Sequence, residues 1–344
     1  MAATLRDVAE LAGVSISTAS RAITPDRTRP VAADTELRIR EAVRTLNYSS
    51  RTATGARRTT ARQTQTGKVG VILRGASYKF ADPFWAPVLD GLDEQLAKHD
   101  YNLAFTLTLR EVRHSNRRSL IANERVDGLV LLGPVAPMPE LVDLEHTIVV
   151  EGLDEMRWKS DLAVDMVTVE KRRAIYQVVA HLAALGRHRL GFLGPPRESD
   201  ERAEAFPHAL ARVGLPYAPA LMQESPWSVE GAHRAALALL ARDTRPDAII
   251  CASDVIAMGT MQAARERGLR LPQDLAITGF DDVPFASSLD PPLTTVSAPR
   301  KTLGAVAGDR IIARINQPDL PAIILTVRTT LMVRASCGAQ LDVA

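Results

Sequence analysis

TLRDVAELAGVSISTASRAI, residues Thr4–Ile23, decides how the amino-terminal part of the chain folds. Leu5, Val8, Ala9 and Ala12 recur at i, i+3, i+4 and i+7, the apolar stripe of a short helix. Thr4 followed by Asp7 has the spacing of a capping box, so the helix starts there. Gly13 ends it, because the left-handed backbone of a helix stop costs glycine little. Ser15 is a good N-cap for a second helix running to about Ile23. Pro25 and Pro30 bracket a loop, and a third helix starts near Asp34 with Ile39, Ala42, Val43 and Leu46 on one face. Two short helices joined by a glycine-containing turn and packed on a third make a helix-turn-helix. Its second helix presents Ile16, Ser17, Thr18 and Arg21. An arginine there can bind guanine through two hydrogen bonds, worth roughly 1–3 kcal/mol of discrimination.

Charge supports a polyanionic partner. Residues 1–68 hold 12 Lys/Arg against 6 Asp/Glu, while the remainder holds 30 against 34. No acid occurs between Glu41 and Asp82, where Arg44, Arg51, Arg57, Arg58, Arg62, Lys68, Arg74 and Lys79 accumulate. A basic segment on a mildly acidic body fits contact with nucleic acid, although a solvated basic linker has the same composition. At 344 residues the chain is too long for one core. Its 46% hydrophobic and 24% charged content excludes wholesale disorder. No apolar run approaches the roughly 18 residues that would span a bilayer. Asp7 and Glu10 fall where a signal peptide would be basic and then apolar. Cys251 and Cys337 form neither a disulfide framework nor a metal-binding spacing. A cytoplasmic location, no membrane association and no cofactor are expected.

From Val69 the pattern changes to short continuous apolar runs separated by amphipathic segments, as strands covered on both faces require. Strands are expected at Val69–Leu73, Asn102–Thr108, Gly128–Leu132 and Thr147–Val150, with a helix through Trp85, Val88, Leu89, Leu92 and Leu96. The series restarts with a strand near Ala163–Asp165 and a helix from about Glu170 to Leu185. Further strands are expected at Arg189–Leu193, Ala248–Cys251, Leu275–Phe280 and Thr294–Val296. Two consecutive βαβ series imply two doubly wound parallel sheets.

The first helices, with Val31-Ala32, Thr35 and Leu46–Tyr48, resemble the headpiece of the LacI/GalR family of bacterial repressors. The resemblance implies that Ile16, Ser17 and Arg21 read bases in the major groove, and that Thr4, Ser15, Thr18, Thr35 and Tyr48 hold phosphates. It implies a double-stranded, roughly palindromic operator bound by a homodimer. Residues 49–68, SSRTATGARRTTARQTQTGK, depart from the family. Relatives carry here a short hinge helix whose leucine wedges into the minor groove, and an ungapped alignment from Tyr48 puts Arg57 at that leucine. Arg57 and Arg58 are expected to replace wedge by charge, giving less bending and more salt sensitivity. A disordered basic tether is the alternative.

The body is similar to the same family's effector domain, built like a type I periplasmic binding protein. DPFWAPVLDGL, ALGRHRLGFLG, ICASDVIAMG, ITGFDDVPFASSLDPPLTTV and VRTTLMVRASCG carry that similarity. The expected fold is therefore an all-α helix-turn-helix headpiece plus an α/β effector domain of two doubly wound parallel-sheet lobes. The headpiece spans 1–48, the hinge 49–68 and the effector and dimerisation domain 69–340. An N-lobe of about 69–160 plus 292–321 and a C-lobe of about 161–291 plus 322–340 follow from the resemblance. Ligands of parallel α/β sheets bind beyond the strands' carboxyl ends, which directs attention to Phe84, Trp85, Glu151, Arg202, Trp227, Ser253 and Asp281. Arg202 matches the arginine of the family's RxxGF block, with Ala205 for its glycine. Ser253 stands where relatives often have asparagine, and Met166 replaces the asparagine of another block. Phe84 and Trp85 would serve equally as helix core, Asp281 as a cap and Glu151 as a loop carboxylate.

No serine-hydrolase elbow, dinucleotide fingerprint or phosphate-binding loop is present, so an enzyme is not expected. The resulting reading is a repressor released by a small hydroxylated effector such as a sugar or polyol. A corepressor-dependent repressor is the alternative. A solute-binding protein would lack the headpiece.

Overall fold

The computed structural model describes residues 4–23, 31–46, 65–73, 82–114, 125–133, 146–151 and 164–340. Contacts divide the chain into residues 1–65 and 66–344. In the first unit α1 (Leu5–Leu11), α2 (Ile16–Ile23) and α3 (Ala33–Thr45) surround Val8, Ala12, Ile39 and Ala42. The expected capping box is present. The Thr4 hydroxyl oxygen accepts from the Asp7 N–H, and the Asp7 carboxylate accepts from the Thr4 N–H at 2.6 Å. Gly13 has φ 63°, and the Val14 N–H reaches back to the Ala9 carbonyl at 2.9 Å to close α1. Thr4→Ala removes the cap and should destabilise α1 by about 1 kcal/mol. Amide exchange of α1 in the intact chain without DNA checks this, the second unit serving as reference.

The second unit contains two six-stranded sheets. The first has the order β11-β5-β4-β3-β1-β2, formed by β1 (Lys68–Leu73), β2 (Asn102–Thr108), β3 (Gly128–Leu132), β4 (Thr147–Val150), β5 (Asp165–Val169) and β11 (Ile324–Val327). All its pairings are parallel. The second has the order β12-β10-β9-β8-β6-β7, formed by β6 (Leu190–Gly194), β7 (Met222–Glu224), β8 (Ala248–Cys251), β9 (Ala276–Asp281), β10 (Thr294–Ser297) and β12 (Thr330–Met332). Only β12 runs antiparallel. Strands β1, β3, β6 and β8 are buried almost throughout, which explains their unbroken apolar sequences. Among the described residues no helix is long and apolar enough to cross a membrane.

α4 (Trp85–Ala97), α5 (Leu109–His114) and α10 (Arg300–Asn316) belong with the first sheet. α4 and α10 pack so closely that a Cβ on Gly91 would strike the Lys301 backbone, and one on Gly304 the Val88 backbone. α6 (Lys171–Ala184), α7 (Glu201–Arg212), α8 (Val229–Leu240) and α9 (Asp254–Glu266) belong with the second sheet.

The crossings between lobes differ from the expected 160/161, 291/292 and 321/322. β5, expected to open the C-lobe, joins the first sheet beside β4. β10, assigned to the N-lobe, pairs with β9 in the second sheet, and β11, assigned to the C-lobe, pairs with β5 in the first. The chain therefore crosses between β5 and α6, between β10 and α10, and between β11 and β12. Each crossing follows a strand, and local periodicity carries no mark of the sheet a buried strand joins. The crossings are stitched together. The Glu170 N–H donates to the Val327 carbonyl at 2.9 Å, and the Thr329 hydroxyl donates to the Glu170 carbonyl at 3.2 Å.

Candidate nucleic-acid interface and ligand cleft

α2 presents a polar amino end. Ser15 lies just ahead of it, and its hydroxyl oxygen accepts from the Thr18 N–H at 3.1 Å and lies 2.9 Å from the Ser17 hydroxyl. Ile16 is 49% exposed, a branched apolar side chain held in solvent by the helix's first turn. Ser17 is exposed and Thr18 half-buried, while Ala19 closes the inner face. Thr35 lies on α3, its hydroxyl 3.5 Å from an Arg38 nitrogen that donates to it. Thr4 caps α1 from an exposed position. Arg21 belongs to α2, but its side chain, like Tyr48, Arg57 and Arg58, lies outside the described residues. An exposed apolar residue beside small hydroxyls at a helix start suits thymine methyls and base edges.

In the second unit the strand order reverses between β1 and β3 and between β6 and β8, the positions where doubly wound sheets open a crevice. Glu151 immediately follows β4, at φ 54°. Its carboxylate accepts from the Val169 N–H at 2.7 Å and the Thr168 hydroxyl at 2.8 Å, and pairs with Lys171 Nζ at 2.7 Å. Burial opposes the Glu151 charge, but the Lys171 ammonium and the Val169 N–H outweigh it and hold the carboxyl below its ordinary range. Burial likewise opposes the Lys171 charge, and Glu151 reverses the effect. Lys171 is only 5% exposed, and sequence reading missed it because EKRR resembles a solvated helix start.

Arg202, on α7, is 7% exposed. Its Nε and one terminal nitrogen grip the Asp200 carboxylate at 2.9 and 2.7 Å, and the other donates to the Ala252 carbonyl at 2.8 Å. The guanidinium lies 5.0 Å from the ring centroids of both Trp227 and Phe280. Despite its burial, Asp200 raises the Arg202 pKa further above the ordinary arginine range. Trp227 remains 51% exposed, so one indole face is covered by a cation while the side chain stays open to solvent.

Asp281 ends β9 with φ 108°, followed by Asp282 at φ 53°. It is 8% exposed, and its carboxylate takes no hydrogen bond from any described residue. Burial, then the neighbouring Asp254 charge, pushes its pKa well above the ordinary value. Glu151 of the first lobe and Arg202 of the second both act on it electrostatically, so the three expected polar residues converge. Asp254 is fully buried. It accepts from the Val283 N–H at 2.8 Å and from the Thr295 hydroxyl, and burial pushes it up to about 7.

Ser253 is 4% exposed, and its hydroxyl oxygen accepts from the Ile256 N–H at 3.2 Å, capping α9. Phe84 and Trp85 form an edge-to-face pair at 4.8 Å, half-buried against the core at the start of α4. The Asp82 carboxylate caps that helix start by accepting both backbone N–H groups. Burial pushes the Cys251 thiol up to about 12, which suits packing rather than reaction.

Residues 4–50 match the model of bacterial regulatory proteins of the lacI family, and residues 179–337 match that of a periplasmic binding protein-like domain. A ribose operon repressor of Haemophilus influenzae is 29% identical over 97% of this chain and 98% of its own length. The transcriptional repressor PurR of Pasteurella multocida is 28% identical over 98% of this chain and 100% of its own. Among solved structures, the complex of the regulator CelR with cellobiose superposes with a TM-score of 0.73 at 25% identity, covering 97% of this chain and 99% of that one. A lac repressor dimer bound to operator superposes with a TM-score of 0.67 at 22% identity, covering 98% and 100%. With a lacI-family headpiece, a periplasmic binding protein-like domain and repressor relatives spanning its whole length, this chain is a DNA-binding transcriptional repressor of LacI type.

Proposed function

We propose that the protein is a homodimeric, cytoplasmic repressor that binds a roughly palindromic operator and releases it when a small hydroxylated effector, a sugar or polyol, fills the cleft between the lobes. The headpiece, hinge and effector domain are taken as residues 1–48, 49–68 and 69–340. Ile16, Ser17 and Arg21 are assigned to base edges. Thr4, Ser15, Thr18, Thr35, Tyr48, Arg57 and Arg58 are assigned to the DNA backbone and minor groove. The observation that carries the effector reading is the Asp281 carboxylate, which ends β9 beside Arg202 and Glu151 and accepts no hydrogen bond among the described residues. A carboxylate with no protein donor at the mouth of a crevice is free to accept from the vicinal hydroxyls of a ligand. Trp227 offers an apolar face for a sugar ring, Arg202 and Glu151 complete the polar wall, and Phe84 and Trp85 form the lip. The similarity to a ribose operon repressor and to a regulator holding cellobiose favours the same class.

A thermal-shift screen with D-ribose, cellobiose, polyols and nucleobases tests this reading. A true effector at 100 times its Kd stabilises by about 2.7 kcal/mol. Gel shifts on the protein's own promoter region follow. Operator affinity should fall steeply with salt, because phosphate neutralisation releases counterions. A ligand that tightens DNA binding would favour the corepressor alternative, whereas DNA binding indifferent to every stabilising ligand would sink both. Asp281→Asn should abolish the thermal shift.

A further inference from the structure

The exit of β9 is strained and held from three directions. Asp281 and Asp282 are consecutive non-glycine residues with positive φ, a conformation that persists only where its surroundings impose it. Asp254, at the start of α9, accepts the Val283 N–H at 2.8 Å. Arg334, beyond β12, donates to the Asp282 carboxylate at 2.7 Å. Arg300, at the start of α10, donates to the Asp282 carbonyl at 2.8 Å. The first two clamps stay within the second lobe. Arg300 does not, because its other terminal nitrogen donates to the Pro83 carbonyl at 2.8 Å, immediately ahead of α4 in the first lobe. One planar fork thus joins two backbone segments of opposite lobes, and it also acts electrostatically on Asp254 and Asp281. Among the described residues Lys301, one residue on, pairs with Asp90 and Glu94 of α4, within a single lobe.

We propose that Arg300 is a positioning residue for the regulatory response, tying the turn that carries Asp281 to the lip of α4 and thereby fixing the angle between the lobes. This rests on the cleft being the effector site. A guanidinium is rigid and holds its two prongs at a fixed separation. A shift of the Asp281-Asp282 turn on ligand binding is therefore passed to Pro83 and α4. A lysine at this position keeps the charge but has no fork, so it serves one carbonyl at a time.

Spin labels on Asp93→Cys, exposed on α4, and His208→Cys, exposed on α7, report the inter-lobe distance in the full chain; native Cys251 and Cys337 are buried. The expected result is a narrow distribution in the parent, at least a doubling of its width in Arg300→Gln, an intermediate width in Arg300→Lys and no change in Lys301→Gln. A width unchanged in Arg300→Gln would overturn the proposal. In a second arm, a sugar from the panel that binds the parent should bind Arg300→Gln within a few-fold yet no longer alter operator affinity. Loss of binding itself would make Arg300 a ligand contact and overturn the positioning role. If neither D-ribose, cellobiose nor any polyol binds the parent, the effector reading fails, and the distance measurement still decides the tie.

Discussion

Arg202→Ala should abolish the ligand's effect on DNA binding and destabilise the second unit by about 3–5 kcal/mol, the cost of removing one member of a buried ion pair. The size follows from what the side chain leaves behind. Asp200 would lose both its guanidinium contacts while remaining near the interior, and the Ala252 carbonyl would lose its donor. Burial already disfavours the Asp200 charge, and Arg202 is the main influence holding that carboxyl below its ordinary range. Trp227 and Phe280 would also lose the cation lying over their rings. Arg202→Lys separates charge from geometry, since an ammonium cannot grip the carboxylate through two parallel bonds and still reach Ala252. It should retain part of the stability and little of the response. Urea unfolding gives the first quantity, and ligand-dependent gel shifts give the second. An alanine variant as stable and as responsive as the parent would refute the assignment of Arg202 to the cleft wall.

Asp254→Asn should make the protein more stable above neutrality, by up to about 4 kcal/mol, because the carboxyl moves from an ordinary 3.8 to about 7 on folding. Burial is the principal cause, opposed by the Thr295 hydroxyl and Val283 N–H bonds, and the nearby Asp282 charge adds to it. For an acid whose pKa is raised by folding, the native state holds the extra proton between about pH 4 and 7. The unfolded chain binds fewer protons in that window, so stability falls as pH rises through it. Below the window both forms are protonated and the cost is absent. Above it the whole cost is present. Asparagine resembles the protonated carboxyl, with an oxygen for the Val283 N–H and an amide for Thr295. Urea midpoints of parent and variant should coincide near pH 4 and separate progressively to pH 8. A separation independent of pH would show that Asp254 does not ionise in this range. Asp281 should also recover part of its acidity in the variant, since Asp254 is the second cause of its shift.

Much of the architecture was legible because periodicity reports burial. Val8, Ala9 and Ala12 face inward at helical spacing, and GLVLL and AIIC are strands covered on both sides, so each element was identifiable without knowledge of its neighbours. The candidate cleft was half legible. Arg202, Glu151 and Asp281 were nominated by resemblance and by their places after strands, and they do converge. Lys171, Asp200, Asp254 and Arg300 were not nominated, because their importance lies in partners distant along the chain: Lys171 in Glu151, Asp254 in Thr295, Arg300 in Pro83. Ser253, nominated as a ligand contact, also caps the start of α9 by accepting the Ile256 N–H.

From its sequence alone this protein determined its caps, its helix stops, the buried character of its strands and the helix-turn-helix of its amino-terminal segment, since each is settled within a few residues by propensity and spacing. Only the tertiary structure decided that β5 and β11 belong to one sheet and β10 to the other, and which charges lie buried against which. The physical reason is that a buried apolar strand fits either of two similar sheets equally well by its own pattern. A buried charge, likewise, is tolerated only through partners that the folded chain brings to it.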